Sequence, residues 1–221
     1  MVALILADGD VPARSDLDLA WSGWDKNVEL VIAADGGARH ALGLGVAIDL
    51  WVGDGDSIGD DALAALEADG VPIRRSPTAK DETDAELALL AAIERDPARV
   101  TILGALGGAR FDHALANVWL LAHPGLTGRA ACLLDDSVRV RLIGPGRTEL
   151  GGRVGDLVSL LPFAGDATGI TTHGLRYPLR GEPLVSGPSR GLSNVREEPD
   201  AAVELGSGRI LVLETPATFS R

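Results

Sequence analysis

Short apolar runs alternate with amphipathic stretches along the first half of the chain. Val2–Ala7 ends at Asp8, Leu30–Ala34 at Asp35-Gly36-Gly37, and Leu50–Val52 at Gly53-Asp54-Gly55-Asp56. A fourth run, Thr101–Leu103, leads into Gly104-Ala105-Leu106-Gly107-Gly108. Each has the length and continuity of a buried strand. Between them, Ala38–Leu44, Asp60–Asp69, Thr83–Arg95 and Phe111–Ala122 read as helices. Within the third of these, Leu87, Leu90, Ala91 and Glu94 fall on i, i+3, i+4, i+7 spacing, which predicts an apolar face edged by charge. Apolar strands alternating with helices predict a parallel sheet covered on both faces.

After about Gly125 helical periodicity disappears. Arg129–Leu134, Val138–Ile143, Leu157–Leu161, Ala201–Leu205 and Arg209–Glu214 are short runs separated by turn signals such as Gly144-Pro145-Gly146 and Gly206-Ser207-Gly208. Short strands with Gly and Pro punctuation predict an antiparallel sandwich. The chain therefore divides into an α/β domain over residues 1–125 and a β-sandwich domain over 126–221.

Composition narrows the function. The 221 residues are 46% hydrophobic and 24% charged, as in a globular protein, and are enough for one or two domains. With 20 basic and 32 acidic residues the net charge is −12, a field that repels nucleic acid and anionic membrane. A small anionic ligand would need a cation or a local arginine to bind. Cys132 is the single cysteine, so an intrachain disulfide and a cysteine-based zinc site are excluded. The opening apolar run is too short for a signal sequence or a membrane span, and the expectation is a soluble cytoplasmic protein. Lys26 and Lys80 are the only lysines, which singles out Lys80 where acids surround it.

Open parallel sheets bind ligands at the carboxyl ends of their strands, and three of the four predicted ends carry Asp and Gly. In Gly53-Asp54-Gly55-Asp56-Ser57, an extended backbone would point Asp54 and Asp56 to one side, where a Mg²⁺ ion would relieve their repulsion. An acidic turn in water explains the same residues. Ala34-Asp35-Gly36-Gly37 precedes a helix and offers amides for phosphate, or a simple N-cap at Asp35. In Lys80-Asp81-Glu82-Thr83-Asp84-Ala85-Glu86, Thr83 and Glu86 form a capping box, which leaves Lys80 and the surplus of acids unexplained. Gly107-Gly108-Ala109-Arg110-Phe111-Asp112-His113 is a Gly-rich turn in which Arg110 suits phosphate and Asp112 a metal or a proton. His113 and Asn117 share a helix face and read as packing or surface residues. P-loop, dinucleotide-fingerprint, zincin and nucleophile-elbow motifs are all missing.

Taken in order with Gly174-Leu175-Arg176-Tyr177-Pro178-Leu179 and Gly191-Leu192-Ser193-Asn194, these motifs resemble those of the thiamine pyrophosphokinase (thiamine diphosphokinase) family. The likeness runs from Asp35 to Asn194 and departs after it, at Val195-Arg196. It implies a Rossmann-like ATP domain, a C-terminal thiamine-binding β-sandwich, and a homodimer with active sites between subunits. It implies transfer of a pyrophosphoryl group from ATP to the thiamine hydroxyl with Mg²⁺, giving thiamine diphosphate and AMP. Asp54, Asp56 and Asp84 become metal-site and catalytic carboxylates, with Asp112 also at the reacting groups. Asp35, Gly36, Gly37 and Lys80 go to ATP, as do Asp81, Thr83, Gly107, Gly108 and Arg110. Ser193, Asn194 and Tyr177 go to thiamine. The physics is compatible, because a triphosphate screened by its own charge must be neutralised and positioned, and clustered carboxylates recruit the cation that does so. Two rival readings remain at this stage. One is a metal-dependent nucleotide-sugar transferase using the Asp-x-Asp; the other is a nucleotide- or thiamine-sensing module without turnover.

Overall fold

The computed structural model describes residues 1–219. The chain forms two compact units, Met1–Asp135 and Asp136–Arg221. The first contains β1 (Val2–Leu6), α1 (Arg14–Ala20), β2 (Val28–Ala34), and a 3-10 segment, Asp35–His40, continuing into α2 (Ala41–Leu44). Then follow β3 (Leu50–Gly53), α3 (Asp60–Ala68), β4 (Ile73–Arg75), α4 (Asp84–Ile93), β5 (Arg99–Leu103), α5 (Phe111–Leu120) and β6 (Ala130–Leu134). The strands lie side by side in the order β6-β5-β1-β2-β3-β4, all parallel. Strand order therefore reverses between β1 and β5, a crevice where sheets of this kind bind ligands.

The continuous apolar runs of the sequence are the central strands, and Leu4, Ile5, Leu6 and Ile32 are completely buried. Leu4 and Leu6 pack with Leu17 of α1 and Leu44 of α2. Ala33 and Trp51 pack with Leu63 of α3. Helix α4 packs on β1, β2 and β3. Its buried stripe is Ala85, Ala88, Leu89 and Ala92, not the face through Leu87, Leu90, Ala91 and Glu94 that the spacing predicts, although Ala91 is buried too. Leu87 and Leu90 are half-buried and Glu94 is exposed. Alanines let the helix backbone approach the sheet, so residue size, not hydrophobicity, sets the rotation of this helix.

The segment Ala130–Leu134 is a second correction. It pairs in parallel with β5, through Thr101–Cys132 and Ile102–Leu133, and so completes the first unit instead of opening the sandwich. The structural division falls after Asp135, ten residues later than the change in sequence pattern, because strand direction is decided by the partner and not by local composition. Helix α1 and strand β4 carry too few apolar residues to stand out in the sequence.

The second unit holds β7 (Arg139–Ile143), β8 (Gly146–Glu149), β9 (Leu157–Pro162), β10 (Ala167–His173), β11 (Arg180–Leu184), β12 (Asn194–Val195), β13 (Ala202–Leu205) and β14 (Ile210–Thr215). They form two antiparallel layers, β12-β9-β14-β7 and β11-β10-β13-β8. Ile143, Val158, Leu160, Ile210 and Val212 of one layer share a core with Ala167, Ile170, Leu184, Val203 and Leu205 of the other. The predicted sandwich is present, with β8, β10, β11 and the two-residue β12 added. Their polar composition hid them: β10 reads Ala-Thr-Gly-Ile-Thr-Thr-His and buries only every second or third residue. Between β14 and β7, the buried Glu214 carboxylate accepts hydrogen bonds from Arg139 Nε at 2.8 Å, Arg141 Nη2 at 3.1 Å and Gly151 N–H at 2.6 Å. Among the described residues, no helix is long and apolar enough to cross a membrane.

Candidate active site

At the strand-order reversal of the first unit lies a cavity of about 430 Å³. The chain enters it from the carboxyl ends of four strands: Asp8 and Gly9 after β1, Asp35 after β2, Asp56 and Ser57 after β3, and Gly104, Gly107 and Gly108 after β5. Thr78, Lys80, Thr83 and Asp84 line it from the approach to and start of α4, and Arg110, His113 and Asn117 from α5 and its N-cap.

Asp35 organises this wall. It is 2% exposed and sits at φ +43°, a left-handed conformation uncommon for a residue with a side chain. Its carboxylate accepts the N–H groups of Ser57 at 3.2 Å and Ile58 at 3.1 Å, and its carbonyl accepts Trp51 Nε1–H at 3.0 Å. One side chain thus fastens the whole loop after β3. Burial pushes its pKa up to about 6, against the lowering effect of the Ser57 and Ile58 amides and with help from the neighbouring Asp56 carboxyl.

Oxygen atoms of Asp35, Asp54 and Asp84 come within 4.8 Å of one another. Lys80 Nζ lies 3.1 Å from Asp54 Oδ2 and 2.9 Å from Asp84 Oδ1. Its hydrogen bond to Lys80 outweighs desolvation and holds Asp54 below the usual carboxylate range. Burial works to lower the Lys80 ammonium, but Asp84 and Asp54 together raise it. Three hard oxygen donors on separate chain segments, with an ammonium between two of them, fit a divalent cation such as Mg²⁺ in charge and chemistry.

Of the three carboxylates expected at a metal, Asp54 and Asp84 stand in this group with Asp35, and the Asp56 carboxyl lies beside it, interacting with Asp35 and Asp54. β3 ends at Gly53, Gly55 turns at φ +89°, and Asp56 N–H bonds back to Asp54 Oδ1 at 3.1 Å. Because this is a turn, the two-residue alternation of an extended strand does not hold. Asp56 still borders the cavity, accepting the Ser57 hydroxyl at 3.0 Å.

The other sequence candidates divide. Gly107, Gly108 and Arg110 border the cavity, and Thr83 also caps α4, accepting Glu86 N–H at 3.2 Å. Arg110 is paired with Asp112, through Nε–Oδ1 at 3.1 Å and Nη2–Oδ2 at 2.5 Å. That pair holds the Asp112 carboxyl down at about 2. Asp112 and Asp81 are exposed and stand outside the cavity lining. Gly36 and Gly37 are buried and do not line it either. A Cβ on Gly37 would lie 2.0 Å from Leu6 O, so this glycine lets the 3-10 segment pass over β1. Sequence reasoning missed Asp8, Gly9 and Thr78, for two of which the Asp-Gly-Asp after the first run was the available signal, and it set aside His113 and Asn117, which also border the cavity.

In the second unit, Asn194 acts as a clamp. Its Oδ1 accepts Tyr177 N–H at 3.0 Å and Val195 N–H at 2.9 Å, while its Nδ2 donates to Tyr177 O at 2.7 Å. Tyr177 itself is exposed. Ser193 is exposed at φ +56°, its N–H donating to Ser159 Oγ at 3.0 Å. Arg196, at the departure from the motif, is buried and donates to the carbonyls of Leu150 at 2.8 Å and Glu198 at 3.1 Å, and to those of Gly151 and Pro199. It is a structural arginine.

Residues 22–133 match the family profile described as "Thiamin pyrophosphokinase, catalytic domain", and residues 147–210 that described as "Thiamin pyrophosphokinase, vitamin B1 binding domain". The thiamine pyrophosphokinase of Bacillus subtilis is 29% identical over 174 residues, covering 78% of this chain and 81% of that protein. A solved Bacillus subtilis thiamine pyrophosphokinase superposes with a TM-score of 0.85 at 26% identity, covering 98% of this chain and 99% of that one. The Enterococcus faecalis thiamin pyrophosphokinase family protein gives 0.80 at 26% identity, with 97% and 98% covered.

Proposed function

The chain belongs to the thiamin pyrophosphokinase family, and from that premise we propose how its residues divide the work. The reaction moves a pyrophosphoryl group from ATP to the hydroxyl of thiamine, leaving AMP. The hydroxyl is a weak nucleophile and the phosphorus is shielded by anionic oxygens, so the protein must position the two and neutralise charge. ATP occupies the cavity of the first unit. The observation that carries this assignment is the convergence of Asp35, Asp54, Asp84 and Lys80 at the strand-order reversal.

Asp35, Asp54 and Asp84 would hold Mg²⁺, which when bound neutralises phosphate charge in a protein of net charge −12. Asp56 borders the same space and orders Ser57. Lys80 holds Asp54 below the usual carboxylate range and supplies the cation on the cavity wall. Gly107 and Gly108 offer their backbone to the triphosphate, and Arg110 is the exposed guanidinium at the rim, paired with Asp112. Thiamine belongs to the second unit at Ser193 and Tyr177, with Asn194 shaping the loop that carries Tyr177. The active unit is a homodimer in the cytoplasm, where ATP is supplied.

Incubation of the pure protein with ATP, Mg²⁺ and thiamine, with products weighed by mass spectrometry, tests the reading. Thiamine diphosphate and AMP in equal amounts support it. ADP with thiamine monophosphate, or binding without turnover, defeats it.

A further inference from the structure

The loop after β1, Asp8-Gly9-Asp10, is fastened on two sides. Gly9 N–H donates to Gly104 O at 3.0 Å, and a Cβ at Gly9 would lie 2.3 Å from that oxygen and 2.5 Å from Gly107 O. On the other side Arg39 donates to the carboxylate and carbonyl of Asp8, and His40 Nε2 lies 2.9 Å from Gly9 O. The remaining side chain, Asp10, reaches across to the β5–α5 connection, where its Oδ2 accepts Gly108 N–H at 3.0 Å.

That connection is irregular backbone. Gly108 stands at φ +103°, and no helix or strand ladder fixes residues 107–109, Arg110 being the N-cap of α5 whose carbonyl accepts Ala114 N–H at 3.2 Å. A segment of this kind keeps one shape only through tertiary hydrogen bonds. We propose that Asp10 is a positioning residue: by accepting Gly108 N–H it holds the Gly107–Arg110 segment against the first loop and so presents it to the triphosphate. The assignment rests on the reading of the cavity as the ATP site. Asp10 acts through the segment and touches no reacting atom. What matters is an acceptor oxygen at this position, which asparagine keeps and alanine removes.

The test compares full-length Asp10→Ala and Asp10→Asn with the parent protein. It reads kcat, KM for ATP and for thiamine, and amide exchange of the 107–110 segment without substrates. In Asp10→Ala, exchange at Gly108 and KM for ATP each rise about tenfold, the upper range of one net hydrogen bond. KM for thiamine stays within about twofold, a margin far below the loss of one hydrogen bond. Asp10→Asn returns both quantities to within about threefold of the parent, since a neutral acceptor retains most of the bond. Unchanged exchange in Asp10→Ala, an asparagine variant as impaired as the alanine one, or equal rises in both KM values would overturn the proposal. If the parent protein makes no AMP, the ATP reading fails, and exchange at Gly108 still decides the tether.

Discussion

Asp35 combines a structural and a chemical duty in one side chain. Two backbone amides bond to its carboxylate, one to each oxygen, while the same group stands with Asp54 and Asp84 as a potential ligand. Asp54 and Asp56 look equivalent along the sequence, but after the turn at Gly55 only Asp54 belongs to the three-carboxylate cluster, with the Asp56 carboxyl beside it. This predicts unequal variants. Asp54→Asn should cut turnover by roughly a hundredfold or more, through loss of a metal ligand. Asp56→Asn should weaken Mg²⁺ binding less, because Asp56 is outside the cluster. Calorimetric titration of Mg²⁺ beside steady-state kinetics checks the order, and equal loss of Mg²⁺ affinity in both variants would contradict the cluster as drawn.

At the scale of elements, the packing of the 3-10 segment on β1 and the ion pair between β14 and β7 make separate predictions. Gly37→Ala forces a methyl group toward Leu6 O, and neither backbone can yield without disturbing the sheet. The expected loss is on the order of 2 kcal/mol, seen as a lower midpoint in denaturant, whereas a parent-like midpoint would refute the close approach. Glu214 titrates with the second unit. Burial would raise its pKa, but Arg139, Arg141 and the Gly151 amide outweigh burial and lower it. A depressed folded-state pKa stabilises the fold above the unfolded value, about 4.3 for glutamate, and that contribution fades as pH falls through the folded value. Glu214→Gln should therefore cost about 3 kcal/mol at pH 7, with the gap from the parent narrowing below about pH 4. A gap independent of pH would remove the ionised carboxylate from the account.

At the scale of the whole molecule, ATP and thiamine are assigned to separate units. Ser193→Ala should raise KM for thiamine several-fold, on the order expected for one lost hydrogen bond, with KM for ATP near its parent value. If subunits share each thiamine site, mixing Asp54→Asn with Ser193→Ala under exchange conditions creates heterodimers with one doubly damaged site and one intact site. At thiamine concentrations well below KM, activity should then rise above that of either variant alone, up to about half that of the parent per heterodimer. Proven subunit exchange with no recovery would count against a shared site, as would a fully active monomer.

Much of the architecture was legible in sequence because it rests on local pattern. Continuous apolar runs marked β1, β2, β3 and β5, and the Thr83 cap marked the start of α4. Asp-Gly clusters marked the strand ends that meet at the cavity, since burial periodicity and turn chemistry act over a few residues. The elements that escaped were short or polar, such as β4, β8 and β10, which only their sheet partners make strands. Three further outcomes belonged to tertiary structure alone. β6 joined the parallel sheet because β5 lay beside it, the α4 stripe followed the alanines that fit the sheet, and Gly37 proved to be a close approach of two backbones. The acidic cluster shows the division most clearly. The sequence determined that acids of these types stand at these strand ends. That Asp35 joins Asp54 and Asp84, with Asp56 beside them, was decided by a hydrogen-bonded turn and by the convergence of segments tens of residues apart, neither of which a period of two can express.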